Sequence, residues 1–86
     1  MITREQVAAQ VRAYLLHELT ASELVEWAED AMQEEEFESG YFEEIRDIVA
    51  RIGVMDVRAF GLTWEECEDM LQRLGYQTSI EITKIK

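Results

Sequence analysis

The stretch that decides the fold is Thr20 to Glu44, TASELVEWAEDAMQEEEFESGYFEE. Thr20 is followed three residues on by Glu23, with Leu19 and Leu24 on either side. That spacing is a capping box with a hydrophobic staple: the threonine oxygen accepts an orphan N–H of the first turn, and the glutamate accepts the N–H of the cap. A helix is therefore predicted from residue 21. Leu24, Trp27, Ala28 and Ala31 then share one face, and Glu26, Glu29, Asp30 and Glu34 fall mainly on the other. The three carboxylates Glu34, Glu35 and Glu36 oppose the negative end of the helix dipole, so the helix is expected to fray there. Phe37-Glu38-Ser39-Gly40 reads as a turn, with Ser39 as N-cap of the next helix.

Working outward, the same start signal recurs twice. Thr3 with Gln6 opens a first helix whose apolar face is Val7, Val11, Tyr14 and Leu15. Thr63 with Glu66 opens a last helix, with Leu62 and Cys67 as the staple pair and Trp64, Met70, Leu71 and Leu74 on its inner side. Between them Phe42, Ile45, Val49 and Ile52 recur at helical spacing, and Gly53 is placed to stop that helix. Val54 to Leu62 reads as either a short strand or one helical turn capped by Asp56, and the glycine at 61 favours the turn. Ser79 to Thr83 alternates polar and apolar residues and reads as a strand that must pair within the chain or with another chain. The predicted architecture is mainly α: a four-helix, bundle-like domain over 1–75 with a short extra helical turn, and a C-terminal β-strand or extended tail over 76–86.

The chain has 86 residues, a single histidine, a single cysteine and a formal charge of −11. That length is one domain with a thin stability margin, and one thiol excludes an intrachain disulfide scaffold. No basic n-region leads an apolar segment, and no apolar run approaches the ~20 residues of a bilayer crossing, so a cytoplasmic protein is the default expectation. A charge of −11 repels nucleic acid phosphates and anionic membranes and favours a basic partner. The acids are unevenly spread: no Lys or Arg falls between Arg12 and Arg46, a window with eleven carboxylates.

Catalysis finds little support. His17-Glu18 is not extended to a zinc-binding His-Glu-x-x-His, because position 21 is Ala. Cys67 lies on an apolar helix face, where a thiol is inert. Calcium binding needs oxygen ligands alternating around a glycine, which the run of glutamates lacks. The expectation is a binding protein without enzymatic activity, metal or cofactor. Its partner-binding residues are expected in the acidic turn and the start of the third helix: Glu34, Glu35, Glu36, Phe37, Glu38, Tyr41, Glu43 and Glu44. There an exposed aromatic ring rimmed by carboxylates would suit a pocket lined by Lys and Arg.

Tyr14 to Leu24, YLLHELTASEL, resembles the first helix-to-helix junction of the colicin D-type immunity proteins, across about an eighth of the chain. Those are small helical-bundle proteins that block a bacterial RNase toxin by occupying its basic active site. The resemblance implies an inhibitor of a basic, nucleic-acid-processing protein in a bacterial cell. The matched residues are structural, so it assigns no inhibitory residue. The alternative expectation is a structural module that dimerises through Ser79–Thr83.

Overall fold

A computed structural model describes residues 1–33, 36–55 and 62–77. Among them are four helices: α1 (Arg4–Leu15), α2 (Ala21–Met32), α3 (Phe42–Gly53) and α4 (Trp64–Arg73). The mainly helical architecture expected from the periodicity is observed. The expected turn at Asp56, the expected strand at Ser79–Thr83, and Glu34 and Glu35 lie outside the described residues.

All three capping boxes form. The side chains of Thr3, Thr20 and Thr63 accept the backbone N–H of Gln6, Glu23 and Glu66, and each of those side chains accepts the N–H of its cap in return. The helix ends are equally specific. Gly75 is left-handed (φ +92°), its N–H donates to Gln72 O, and the Tyr76 N–H reaches back to Leu71 O. This is the paired-bond termination that a left-handed residue after the last helical turn permits. α1 ends the same way, with His17 in the left-handed position (φ 62°), His17 N–H donating to Tyr14 O and Glu18 N–H to Ala13 O. His17 is therefore the pivot of the α1–α2 junction.

Two expected boundaries move. α3 is capped at Tyr41 with no side-chain hydrogen bond, so Ser39 is not its N-cap. Gly40 turns the chain in the left-handed region (φ +90°), which places the helix start beyond Ser39. Gly53 is the last residue of α3 rather than a stop after it; Val54 (φ −102°) is the C-cap.

The core is a single cluster drawn from all four helices. Val7, Val11, Leu24, Ala28, Ile45 and Ile52 are completely buried, and so are Val49, Cys67 and Leu74. α2 packs mainly on α3 and α1 mainly on α4. Ile2, Ala8, Met55 and Leu62 join the core from positions the helical pattern did not assign to it. Leu62 is also tied to α1, because its N–H donates to Tyr14 Oη at 3.2 Å. Trp27 is half-buried against the core, whereas Trp64, expected inside, is 41% exposed. As the first residue of α4 it lies beyond the buried row of Cys67, Met70 and Leu74. Phe42, expected to begin the inner row of α3, is 44% exposed.

Candidate partner-binding surface

The turn before α3 is anchored to the N-terminus of the chain. Ile2 N–H donates to Glu36 O at 3.0 Å and Glu38 N–H to Ile2 O at 2.9 Å, forming an isolated parallel bridge between Ile2 and Phe37. The pairing brings Arg4 to the turn. Its backbone N–H donates to Glu38 Oε1 at 2.8 Å, adding a carboxylate to the positive end of α1. Its guanidinium donates to Tyr41 Oη at 2.8 Å and to Leu74 O at 3.3 Å. The same guanidinium lies over the Tyr41 ring, 4.6 Å from its centre, and 5.8 Å from that of Tyr76. One arginine thereby ties the start of α1, the turn before α3 and the end of α4.

This geometry redistributes the expected site residues. Glu38 and Tyr41 are engaged by Arg4, and Phe37 is half-buried against the core with its ring 5.5 Å from that of Phe42. Glu36 and Glu43 are exposed, and Glu44 is partly so. The freer aromatic ring is Phe42, with the Arg46 guanidinium 5.7 Å from its centre. Tyr41, expected to offer an exposed ring, is claimed by an arginine 37 residues away, a contact no local pattern announces.

The carboxylates also divide by element. On α3 and α4 two acids are paired: Asp47 meets Arg73 at 3.4 Å and Arg46 at 3.5 Å, and Glu66 meets Arg51. On α2, Glu23 is used in its capping box, while Glu26, Glu29 and Asp30 are exposed and meet no cation among the described residues. Among the described residues, the exposed acids of α2 therefore have no cation partner, whereas Asp47 on α3 and Glu66 on α4 do.

The nucleophile candidates are poorly placed for chemistry. Cys67 is buried, and burial, helped by the neighbouring Glu66 carboxylate, pushes its thiol up to about 11, so it stays protonated near neutral pH. His17 is exposed at the end of α1. No group of three or more His, Cys, Asp or Glu among the described residues is arranged to hold a metal ion. No helix among them is long and apolar enough to cross a membrane.

A second surface feature escaped the sequence reading. An open groove of about 440 Å³ runs between α1 and α4, lined by Ala8, Ala9, Leu16, Trp64, Leu71 and Tyr76. Its signal was present in the adjacent alanines of α1, whose small side chains leave room, but only the pairing of α1 with α4 makes a groove of it. Comparison of the chain with protein-family models, with curated proteins and with solved structures gives no match.

Proposed function

We propose that the chain is a small acidic protein-binding module of the immunity or antitoxin type, which occupies the basic active-site cleft of a nucleic-acid-processing toxin in the bacterial cytoplasm. The supporting observation is that Glu26, Glu29 and Asp30 on α2 are exposed and meet no cation among the described residues, with Glu36 and Glu43 exposed as well. Carboxylates left without internal cations are desolvated at little loss of existing pairs when a basic cleft replaces the water. They would stand where phosphates stand in such a cleft, and Phe42 would offer a ring where a base stacks. The role is non-catalytic. The protonated, buried thiol of Cys67 and the exposed position of His17 support that reading.

The experiment is binding to a purified basic nuclease across a salt series, with nucleic acid as competitor. Replacing Glu26, Glu29 and Asp30 with Lys is expected to weaken binding by at least about ten-fold and to flatten its salt dependence. An unchanged affinity and salt slope would exclude the acidic surface as the interface. The dimerisation alternative rests on Ser79–Thr83, outside the described residues, and sedimentation of the full chain tests it directly.

A further inference from the structure

Arg4 does more than join three elements. Its guanidinium is half-buried and, among the described residues, meets no carboxylate: it is held by a hydroxyl, a carbonyl and two aromatic rings. A base held by neutral groups, in a chain of 19 acids, is not placed there to neutralise charge. What it supplies is direction, because the planar fork of guanidinium donors fixes its partners in a way that a lysine ammonium does not. The groups so fixed border the residues put forward for a basic partner. Ile2 N–H holds the Glu36 carbonyl, and Arg4 N–H holds the Glu38 carboxylate. Tyr41, drawn to the guanidinium, is the cap residue of α3. With Tyr41 turned toward Arg4, the next side chain, Phe42, is left 44% exposed, and Glu43 is exposed beside it.

We infer that Arg4 is the positioning residue of the partner-facing turn: it presets the directions of Glu36, Phe42 and Glu43 without touching the partner itself. The inference rests on the basic-partner reading and adds to it what keeps the site in shape. The gain is entropic. A turn already held at Glu36, Glu38 and Tyr41 leaves fewer side chains to be ordered on binding, so more of the contact energy appears as affinity. The charge of Arg4 acts in the opposite sense, since a base beside an acidic site repels a basic partner. Removing Arg4 therefore separates the two effects by sign.

The test compares the full chain with its Arg4→Ala, Arg4→Lys and Arg12→Ala variants for binding to the purified basic nuclease. Arg12, exposed on α1 and outside these contacts, is the charge-matched control. Arg12→Ala is expected to bind as tightly as the wild type or more tightly. Arg4→Ala makes the same change of charge and is expected to bind about ten-fold more weakly, the cost of re-ordering one or two side chains. Arg4→Lys leaves the charge unchanged and is expected to weaken binding as well. Amide exchange is the second readout: in Arg4→Ala the Glu38 and Tyr41 amides should exchange faster, while those of Leu24 and Ala28 in the core stay protected and establish that the chain is folded. Tighter binding by Arg4→Ala, in step with Arg12→Ala, would reduce Arg4 to a structural tie and overturn the inference. Wild-type affinity in Arg4→Lys would overturn it too, and so would unchanged exchange at Glu38 and Tyr41. A nuclease that does not bind the wild type sinks the basic-partner reading and this inference with it. One that binds the wild type and is indifferent to Arg4 sinks the inference alone.

Discussion

His17 and Gly75 occupy the same position in two helix ends and differ in what they cost. Both are left-handed, at φ 62° and +92°, and in both the residue's own N–H and the next one return to the last turn. A side chain in that conformation costs roughly 1–2 kcal/mol, which glycine avoids at the expense of a more flexible unfolded chain. The His17 ring is exposed, and no hydrogen bond or ion pair to it is seen among the described residues. His17→Gly is therefore expected to stabilise the protein by about 0.5–1 kcal/mol, raising the melting temperature by a few degrees. At Gly75 the backbone is only part of the reason. A Cβ there would lie 2.8 Å from Arg4 Nη1 and 3.2 Å from Tyr41 Oη. Gly75→Ala is expected to cost about 2 kcal/mol or more in urea unfolding, and less in an Arg4→Ala background, where the backbone part of roughly 1–2 kcal/mol and the Tyr41 contact remain. Equal costs in the two backgrounds would show that the arginine does not impose the glycine.

At the scale of the element, what sequence revealed was what is local. α1, α2 and α4 begin where a threonine and a Gln or Glu three residues later place them, and those signals need no partner outside four consecutive residues. α3 begins where Arg4 and Ile2 allow it to begin. Ser39 had the chemistry of a cap, but the bridge of Ile2 to Phe37 and the Arg4 contacts to Glu38 and Tyr41 fix the turn from 34 to 37 positions away. Tyr41 is thus a poor cap kept for another purpose. Tyr41→Ser would supply a capping side chain worth about 1 kcal/mol. It would remove a charge-assisted hydrogen bond of about 1.5–3 kcal/mol and a cation–ring contact of about 0.5–1 kcal/mol. The expected outcome is net destabilisation of about 1–3 kcal/mol by chemical denaturation. With Arg4→Ala already present, the substitution should become neutral or stabilising. A Tyr41→Ser that stabilises the wild-type background would reduce the arginine contacts to a surface ornament.

For the whole molecule, the apolar periodicity of each helix announced the buried side of α3 almost completely, from Ile45 to Ile52. It misjudged Trp64, because a position at the first turn of α4 looks inward by spacing and outward by the packing of α1 on α4. The acidic composition was visible, but which acids meet a cation among the described residues, Asp47 and Glu66 rather than those exposed on α2, required the cross-helix bridges of Arg73 and Arg51. That division has a thermodynamic consequence. A net charge of −11 on 86 residues repels itself, and the repulsion is concentrated where no cation intervenes. Raising the salt from about 0.01 M to about 0.15 M shortens the screening length from ~30 Å to ~8 Å. The melting temperature of the wild type is therefore expected to rise over that range. Glu26→Gln, Glu29→Gln and Asp30→Asn together should raise it at low salt and reduce its salt dependence, because these exposed carboxylates have no pair to lose among the described residues. The opposite outcome is expected on α4: Glu66→Gln keeps a capping acceptor, as Gln6 does in α1, but removes the bridge to Arg51, and should lower stability. If the α2 substitutions stabilise the protein and weaken a basic partner together, the acids are held against the fold's own interest for the sake of binding. If they stabilise it and leave the partner's affinity intact, the row serves only solubility, and the interface lies elsewhere on the surface.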